Sequence, residues 1–147
     1  QASAAGVALA RLQPDRLIAS PYRRALETAA ILRASWPHLS EIAIESTAGE
    51  RAAFACDVGS APATLARDHP QAALHGLADQ WWPDLVESEA AFADRMGRLC
   101  ERLTEIDRGG LTILVCHWGV IRGLTGRGTH NGEWVAFDPA GGIFAST

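Results

Sequence analysis

Leu17-Ile18-Ala19-Ser20-Pro21-Tyr22-Arg23-Arg24-Ala25-Leu26-Glu27-Thr28-Ala29 is the stretch from which the rest of the chain can be read. Leu17-Ile18-Ala19 is an apolar run long enough only for a buried strand. Ser20-Pro21 then forms a helix start, with serine as the cap and proline at the first helical position, where its missing N–H costs nothing. Ala25, Leu26, Ala29, Ala30 and Leu32 recur on one face, so the helix extends to about Ser35, and Pro37 stops it.

Upstream, Gln1 to Leu12 is alanine-rich with Val7, Ala8 and Leu12 at helical spacing, and Pro14 closes it. Downstream, Ile42-Ala43-Ile44 between Glu41 and Glu45 alternates as a strand does. Residues 47 to 87 carry Gly, Pro, Asp and His without sustained period, apart from a short helix near 62 to 68. Irregular stretches of this length often form lids or pockets. Phe92, Met96, Leu99, Leu103 and Ile106 are spaced 4, 3, 4 and 3 apart, which predicts an amphipathic helix from about Ser88 to Ile106, ended by Gly109-Gly110. Leu111 to Val115 is the best buried-strand candidate. It feeds His117-Trp118-Gly119 and a short helix from Val120 to about Thr125. Glu133 to Asp138 and Gly142 to Ala145 flank Pro139-Ala140-Gly141 as a hairpin. Alternating strands and helices imply one α/β domain, a sandwich built on a mostly parallel sheet. In such folds chemistry collects at the carboxyl ends of strands, which here carry Ser20 to Arg24 and Cys116 to Gly119.

Composition narrows the possible partners. The 147 residues suit a single domain, and 48% apolar with 20% charged residues is a globular balance. No run approaches the 18 apolar residues of a membrane helix, and the first residues lack a signal peptide's basic and apolar regions. Net charge is −4, and all 13 basic residues are Arg. An acidic chain without a basic stripe speaks against nucleic acid and anionic membrane as partners, yet a local arginine cluster can still bind an anion. Cys56, Cys100 and Cys116 are odd in number and far apart, which predicts reduced thiols and a cytoplasmic protein. His69, His75 and Cys56 lack zinc spacing, so no metal or other cofactor is expected. Gly123 to Gly128 lacks the lysine of a nucleotide loop. Trp81-Trp82 is read as packing the irregular segment onto the sheet.

Three residues carry the chemistry of a candidate site. Arg24 lies in the first turn after a strand, where a guanidinium and free helix N–H groups suit a phosphate. His117 stands at the mouth of the apolar strand, and Glu50 follows a glycine in the irregular stretch. Each has an ordinary alternative: a solvated helix arginine, a core histidine on a backbone carbonyl, an exposed carboxylate.

A resemblance changes those odds. Ser20 to Ala29 reads S-P-x-x-R-A-x-x-T-A, which resembles a signature of the histidine phosphatase superfamily, the phosphoglycerate mutase-like proteins. Leu114-Val115-Cys116-His117-Trp118-Gly119 resembles that family's later Ser/Thr-His-x-Gly signature. Gly49-Glu50-Arg51 with Cys56-Asp57 resembles the stretch supplying its acid/base carboxylate, and His130 to Trp134 a segment opening a late strand. The resemblance implies a three-layer α/β sandwich and hydrolysis of a small phosphorylated substrate, a phosphomonoester, through phosphohistidine. Arg24 is then a phosphate clamp, His117 the second histidine and Glu50 the proton donor, with Trp118, Ser20 and Cys116 as pocket wall.

The chain departs from the pattern at several points. No Arg-His-Gly, the triplet that carries the nucleophilic histidine, occurs in it. The sequence starts without Met and inside a helix-like pattern, so a first strand is expected to be missing, leaving an unpaired edge and apolar surface beside Leu111 to Val115. Cys116 replaces the usual Ser/Thr, and Trp118 a small residue, where it either crowds the site or stacks on a substrate. Two other readings stand beside this one. A non-catalytic phosphate-binding or scaffold homologue would keep the clamp without the nucleophile. Cys116 to Arg122 also reads C-x5-R, the loop of cysteine-dependent phosphatases, with Cys116 as nucleophile. In the favoured reading Arg24, His117 and Glu50 share one cleft, and Arg24 stands from His117 by roughly a phosphate width, about 4–7 Å.

Overall fold

The structure, a computed structural model, describes residues 8–52, 58–83, 86–106 and 109–146. Along them run β1 (Arg16–Ala19), α1 (Arg23–Arg33), β2 (Ala43–Ile44), a 3-10 turn (Ser46–Ala48), α2 (Pro62–Asp68), α3 (Glu89–Ile106), β3 (Thr112–Val115), α4 (Trp118–Thr125), β4 (Val135–Asp138) and β5 (Gly142–Ser146).

β1 is the centre of a parallel sheet in the order β2-β1-β3. It meets β2 through Ile18↔Ala43 and Ala19↔Ile44, and β3 in register from Arg16↔Thr112 to Ala19↔Val115. The pleat sends alternate side chains to opposite faces. On one face Leu17, Ala19 and Val115 pack against Ala25, Leu26, Ala29 and Leu32 of α1, joined by Trp36, Ile42 and Leu65. On the other, Leu114 and Cys116 meet Met96, Leu99 and Leu103 of α3 and Val120 of α4. The result is helix, sheet, helix: the α/β sandwich with a mostly parallel sheet. β4 and β5 form an antiparallel hairpin, with an irregular register between Ala136 and Phe137.

The helices follow their patterns closely, and the exceptions are local. α1 begins at Arg23, not at Ser20-Pro21. Tyr22 takes the N-cap position in extended conformation, and its carbonyl accepts the N–H groups of Ala25 and Leu26. Ser20 therefore does not cap the helix, and its fully buried hydroxyl is left for another partner. α4 starts two residues earlier than the pattern suggests, with His117 as its N-cap residue.

Leu111 to Val115 departs most from expectation. Its apolar composition predicts a strand buried on both sides, yet Thr112, Ile113 and Leu114 are only half-buried. The cause is position: β3 has β1 on one side, and its other edge borders a cavity of about 970 Å³ whose far wall is β4. Ser20 N–H donates to the Val115 carbonyl at 3.0 Å, so Val115 and, two residues back, Ile113 face β1. Thr112, Leu114 and Cys116 then turn their backbone groups toward the cavity. The Thr112 hydroxyl is buried without a hydrogen-bond partner. The expected opening helix and the Cys56-Asp57 pair fall wholly or mainly outside the described residues.

Candidate active site

β1 and β3 are adjacent and parallel, so their carboxyl ends deliver Ser20 and His117 to the same place although 97 residues separate them. Arg24 reaches that point from the first turn of α1. Its Nε–H donates to His117 Nδ1 at 3.2 Å across 93 residues of sequence. A guanidinium N–H can only donate, so Nδ1 must present its lone pair. The proton of the neutral ring then lies on Nε2, which donates to Ser20 Oγ at 2.9 Å. Ser20 Oγ also accepts the Tyr22 N–H at 3.5 Å. Ser20 thus stands behind His117 and orients it; it is not among the residues lining the cavity.

Two adjacent arginines serve opposite purposes. Arg24 turns to His117, whereas Arg23 pairs with Asp68 of α2 at 3.0 Å. With Arg67 and Arg23 beside it, the Asp68 carboxyl is held below its usual range, first by the Arg67 hydrogen bond.

Glu50 borders the same cavity as Arg24, Cys116, His117 and Trp118. Its Oε1 accepts the Arg51 N–H at 3.0 Å. The same oxygen lies 2.5 Å from where a Cβ on Gly119 would stand, so the carboxylate rests against the first turn of α4. The three residues singled out by sequence are brought together. The expected phosphate-wide gap between Arg24 and His117 is absent, because the two side chains bond each other directly.

Tyr22 is a residue the sequence reading passed over as a variable position. It is buried, edge-on to His117 with ring centroids 5.1 Å apart, edge-on to Trp81 at 4.7 Å, and under the Arg24 guanidinium at 4.6 Å. Trp81 donates its indole N–H to the Ser60 carbonyl at 3.0 Å, tying the irregular segment to this cluster. The only advance signal was an aromatic residue next to a strand end.

Trp118 does not crowd the site. It is 49% exposed at the cavity's rim, with the Arg122 guanidinium 5.2 Å from its ring centroid. Cys116 borders the cavity, yet its surroundings desolvate the thiol and push it up to about 12; the Glu50 charge adds to the rise and a hydrogen bond from the His117 backbone opposes it. A thiol so raised is a poor nucleophile, and Arg122, the arginine of C-x5-R, is turned onto Trp118. Among the described residues no group of three His, Cys, Asp or Glu side chains could hold a metal ion, and no helix is long and apolar enough to cross a membrane.

A search of curated proteins finds no match to this chain. The profile of the histidine phosphatase superfamily (branch 1) matches residues 1–138, a span holding β1, β3 and every residue of the site just described. With that span matched, and with the sheet and helices arranged as a phosphoglycerate mutase-like sandwich, the chain belongs to the histidine phosphatase superfamily.

Proposed function

We propose that this chain forms the phosphate clamp and the acid–base half of a phosphomonoester hydrolase that works through a phosphohistidine, without a metal, on a small phosphorylated substrate. Membership of the superfamily supports phosphatase-type chemistry in general. The observation that carries the finer reading is the Arg24–His117 hydrogen bond at the carboxyl ends of two adjacent parallel strands, with Glu50 on the same cavity.

The chemistry follows from those positions. A phosphoryl group entering between Arg24 and His117 replaces their mutual bond, and both then turn N–H groups to its oxygens; His117 takes up a proton to do so. The N-terminus of α4 adds its unsatisfied backbone N–H groups and the positive end of its dipole. A nucleophilic histidine nitrogen attacks phosphorus, the bond to the leaving oxygen breaks, and Glu50 protonates that oxygen. Water then attacks the phosphohistidine, Glu50 takes its proton, and phosphate is released.

The nucleophile must come from outside these 147 residues, since no Arg-His-Gly is among them. The cavity between β3 and β4 supports the reading that it arrives on an additional strand. The outer edge of β3 faces that cavity, and Ile113 and Leu114 are only half-buried. Cys100 and Cys116 are free thiols, which agrees with a reducing compartment such as the cytoplasm.

The test uses the full-length protein. His117→Ala should lower phosphatase turnover by about 10²–10⁴-fold, the scale of one electrostatic or acid–base group. Cys116→Ser should be mild, because serine is a residue the family tolerates there. Glu50→Gln should slow alkyl phosphates far more than p-nitrophenyl phosphate, whose leaving group departs unprotonated. Turnover abolished by Cys116→Ser and spared by His117→Ala would transfer the reaction to the cysteine.

A further inference from the structure

Glu50 belongs to the stretch Glu45 to Glu50, which wraps from the end of β2 through the 3-10 turn to the cavity. Its own 3-10 turn and the Glu45 side chain hold its first residues. Two arginines of α3 hold it from outside. Arg95 and Arg102 are seven residues apart, about two helical turns, and so share one side of that helix. Arg102 Nε–H donates to Glu45 Oε2 at 2.6 Å. The other oxygen of Glu45 accepts the Thr47 N–H at 3.0 Å and the Thr47 hydroxyl at 2.6 Å, so the start of the stretch is anchored.

Arg95 anchors its end. Nη1 donates to the carbonyls of Thr47 at 2.7 Å and Gly49 at 2.8 Å. Nη2 donates to the carbonyl of Glu50 at 3.5 Å and to Glu87 Oε2 at 2.5 Å, and Nε to Glu87 Oε1 at 2.8 Å. A guanidinium has five N–H donors, and all five are engaged. Arg95 therefore has none to offer a phosphate, although it lies close to the site. The pair is enclosed, with side-chain exposures of 12% for Arg95 and 9% for Glu87. The Glu87 backbone adds to the seam: its N–H donates to the Ala52 carbonyl at 2.9 Å, and its carbonyl accepts Arg51 Nε–H at 3.2 Å.

A buried ion pair is a poor way to gain stability, since apolar residues of similar volume often do as well. What it does supply is direction, because three carbonyls must meet one planar fork. We propose that Arg95, with Glu87 as its counter-ion, is a positioning residue that fixes the Thr47–Glu50 backbone so that the Glu50 carboxylate stands at the leaving-group side of the phosphate site. This rests on the reading of Glu50 as proton donor. Proton transfer depends on placement to within a fraction of an ångström, so a slackened turn weakens that step and leaves the phosphate clamp intact.

The experiment compares four variants of the full-length protein on an alkyl phosphomonoester and on p-nitrophenyl phosphate. Arg95→Met combined with Glu87→Gln removes both charges at similar volume. Its turnover of the alkyl ester should fall by about tenfold or more, while p-nitrophenyl phosphate and inhibition by vanadate stay within about threefold. In a Glu50→Gln background the same pair should cause no additional loss on the alkyl ester. Arg95→Lys keeps the charge with fewer donors and should show the same selectivity at a smaller size; it carries the test if the double variant does not fold. Equal losses on both esters, or losses that add to those of Glu50→Gln, would overturn the proposal and leave Glu50 as donor. Absence of leaving-group selectivity in Glu50→Gln alone would remove the donor role itself, and the positioning role with it.

Discussion

The thiol of Cys116 ionises near 9.0 in an open chain and is pushed up to about 12 here, because desolvation leaves its charged form unsupported and the Glu50 carboxylate opposes it further. The sign of the pH effect follows. Below pH 9 both folded and unfolded chains hold the proton, and Cys116 contributes nothing to the pH dependence. Above 9 the unfolded chain ionises first, so stability falls as the pH climbs toward 12, by about 1 kcal/mol at pH 10. Urea titrations at pH 8 and pH 10 should show this loss in the wild-type chain and a smaller one in Cys116→Ser. Iodoacetamide should label Cys116 slowly at pH 8 in the folded protein and quickly once it is unfolded. At this scale the sequence was legible only in part. Arg24, His117 and Glu50 could be named because a signature marks them. Tyr22 and Arg95 could not, since their importance lies in contacts with residues far along the chain: His117 for Tyr22, and the Thr47 to Glu50 carbonyls for Arg95.

Elements with a strong period were legible nearly to the residue. α3 was expected from about Ser88 to Ile106 and runs from Glu89 to Ile106, because five apolar residues at helical spacing leave little choice of face. The short helix near 62 to 68 is α2, started by Pro62. β3 was misjudged in burial because composition reports what a strand can bury against and says nothing of which neighbours are there. α4 carries a further prediction. A methyl group at Gly119 would collide with Glu50 Oε1 at 2.5 Å. Gly119→Ala should favour the helix by up to about 1 kcal/mol through propensity alone. It should also displace the carboxylate and slow alkyl phosphate hydrolysis. Thermal melting and turnover should therefore move in opposite directions, and a variant that kept full alkyl turnover would show that Glu50 has room to spare.

At the scale of the molecule, the parallel sheet among the described residues ends at β2 on one side and at β3 on the other. β1 is paired on both edges, while β3 turns the backbone groups of Thr112, Leu114 and Cys116 toward the cavity bounded by β4. Hydrogen exchange reads this directly. In the 147-residue chain by itself, the Leu114 and Cys116 amides should exchange much faster than those of Ile113 and Val115, which face β1. In a longer protein that places a strand along β3, all four should be protected to a similar degree. Continued fast exchange at Leu114 in the longer protein would show that no strand lies there.

The chain has a single tyrosine, and it is Tyr22. The ring lies against the imidazole of His117 and beneath the guanidinium of Arg24, two groups that part when an anion enters if they form the proposed phosphate clamp. Fluorine placed on tyrosine would therefore give one resonance for the 147-residue chain, with nothing to assign. Its chemical shift would respond to ring currents and to the departing positive charge, so the protein carries a built-in gauge of site occupancy that needs no turnover to be read.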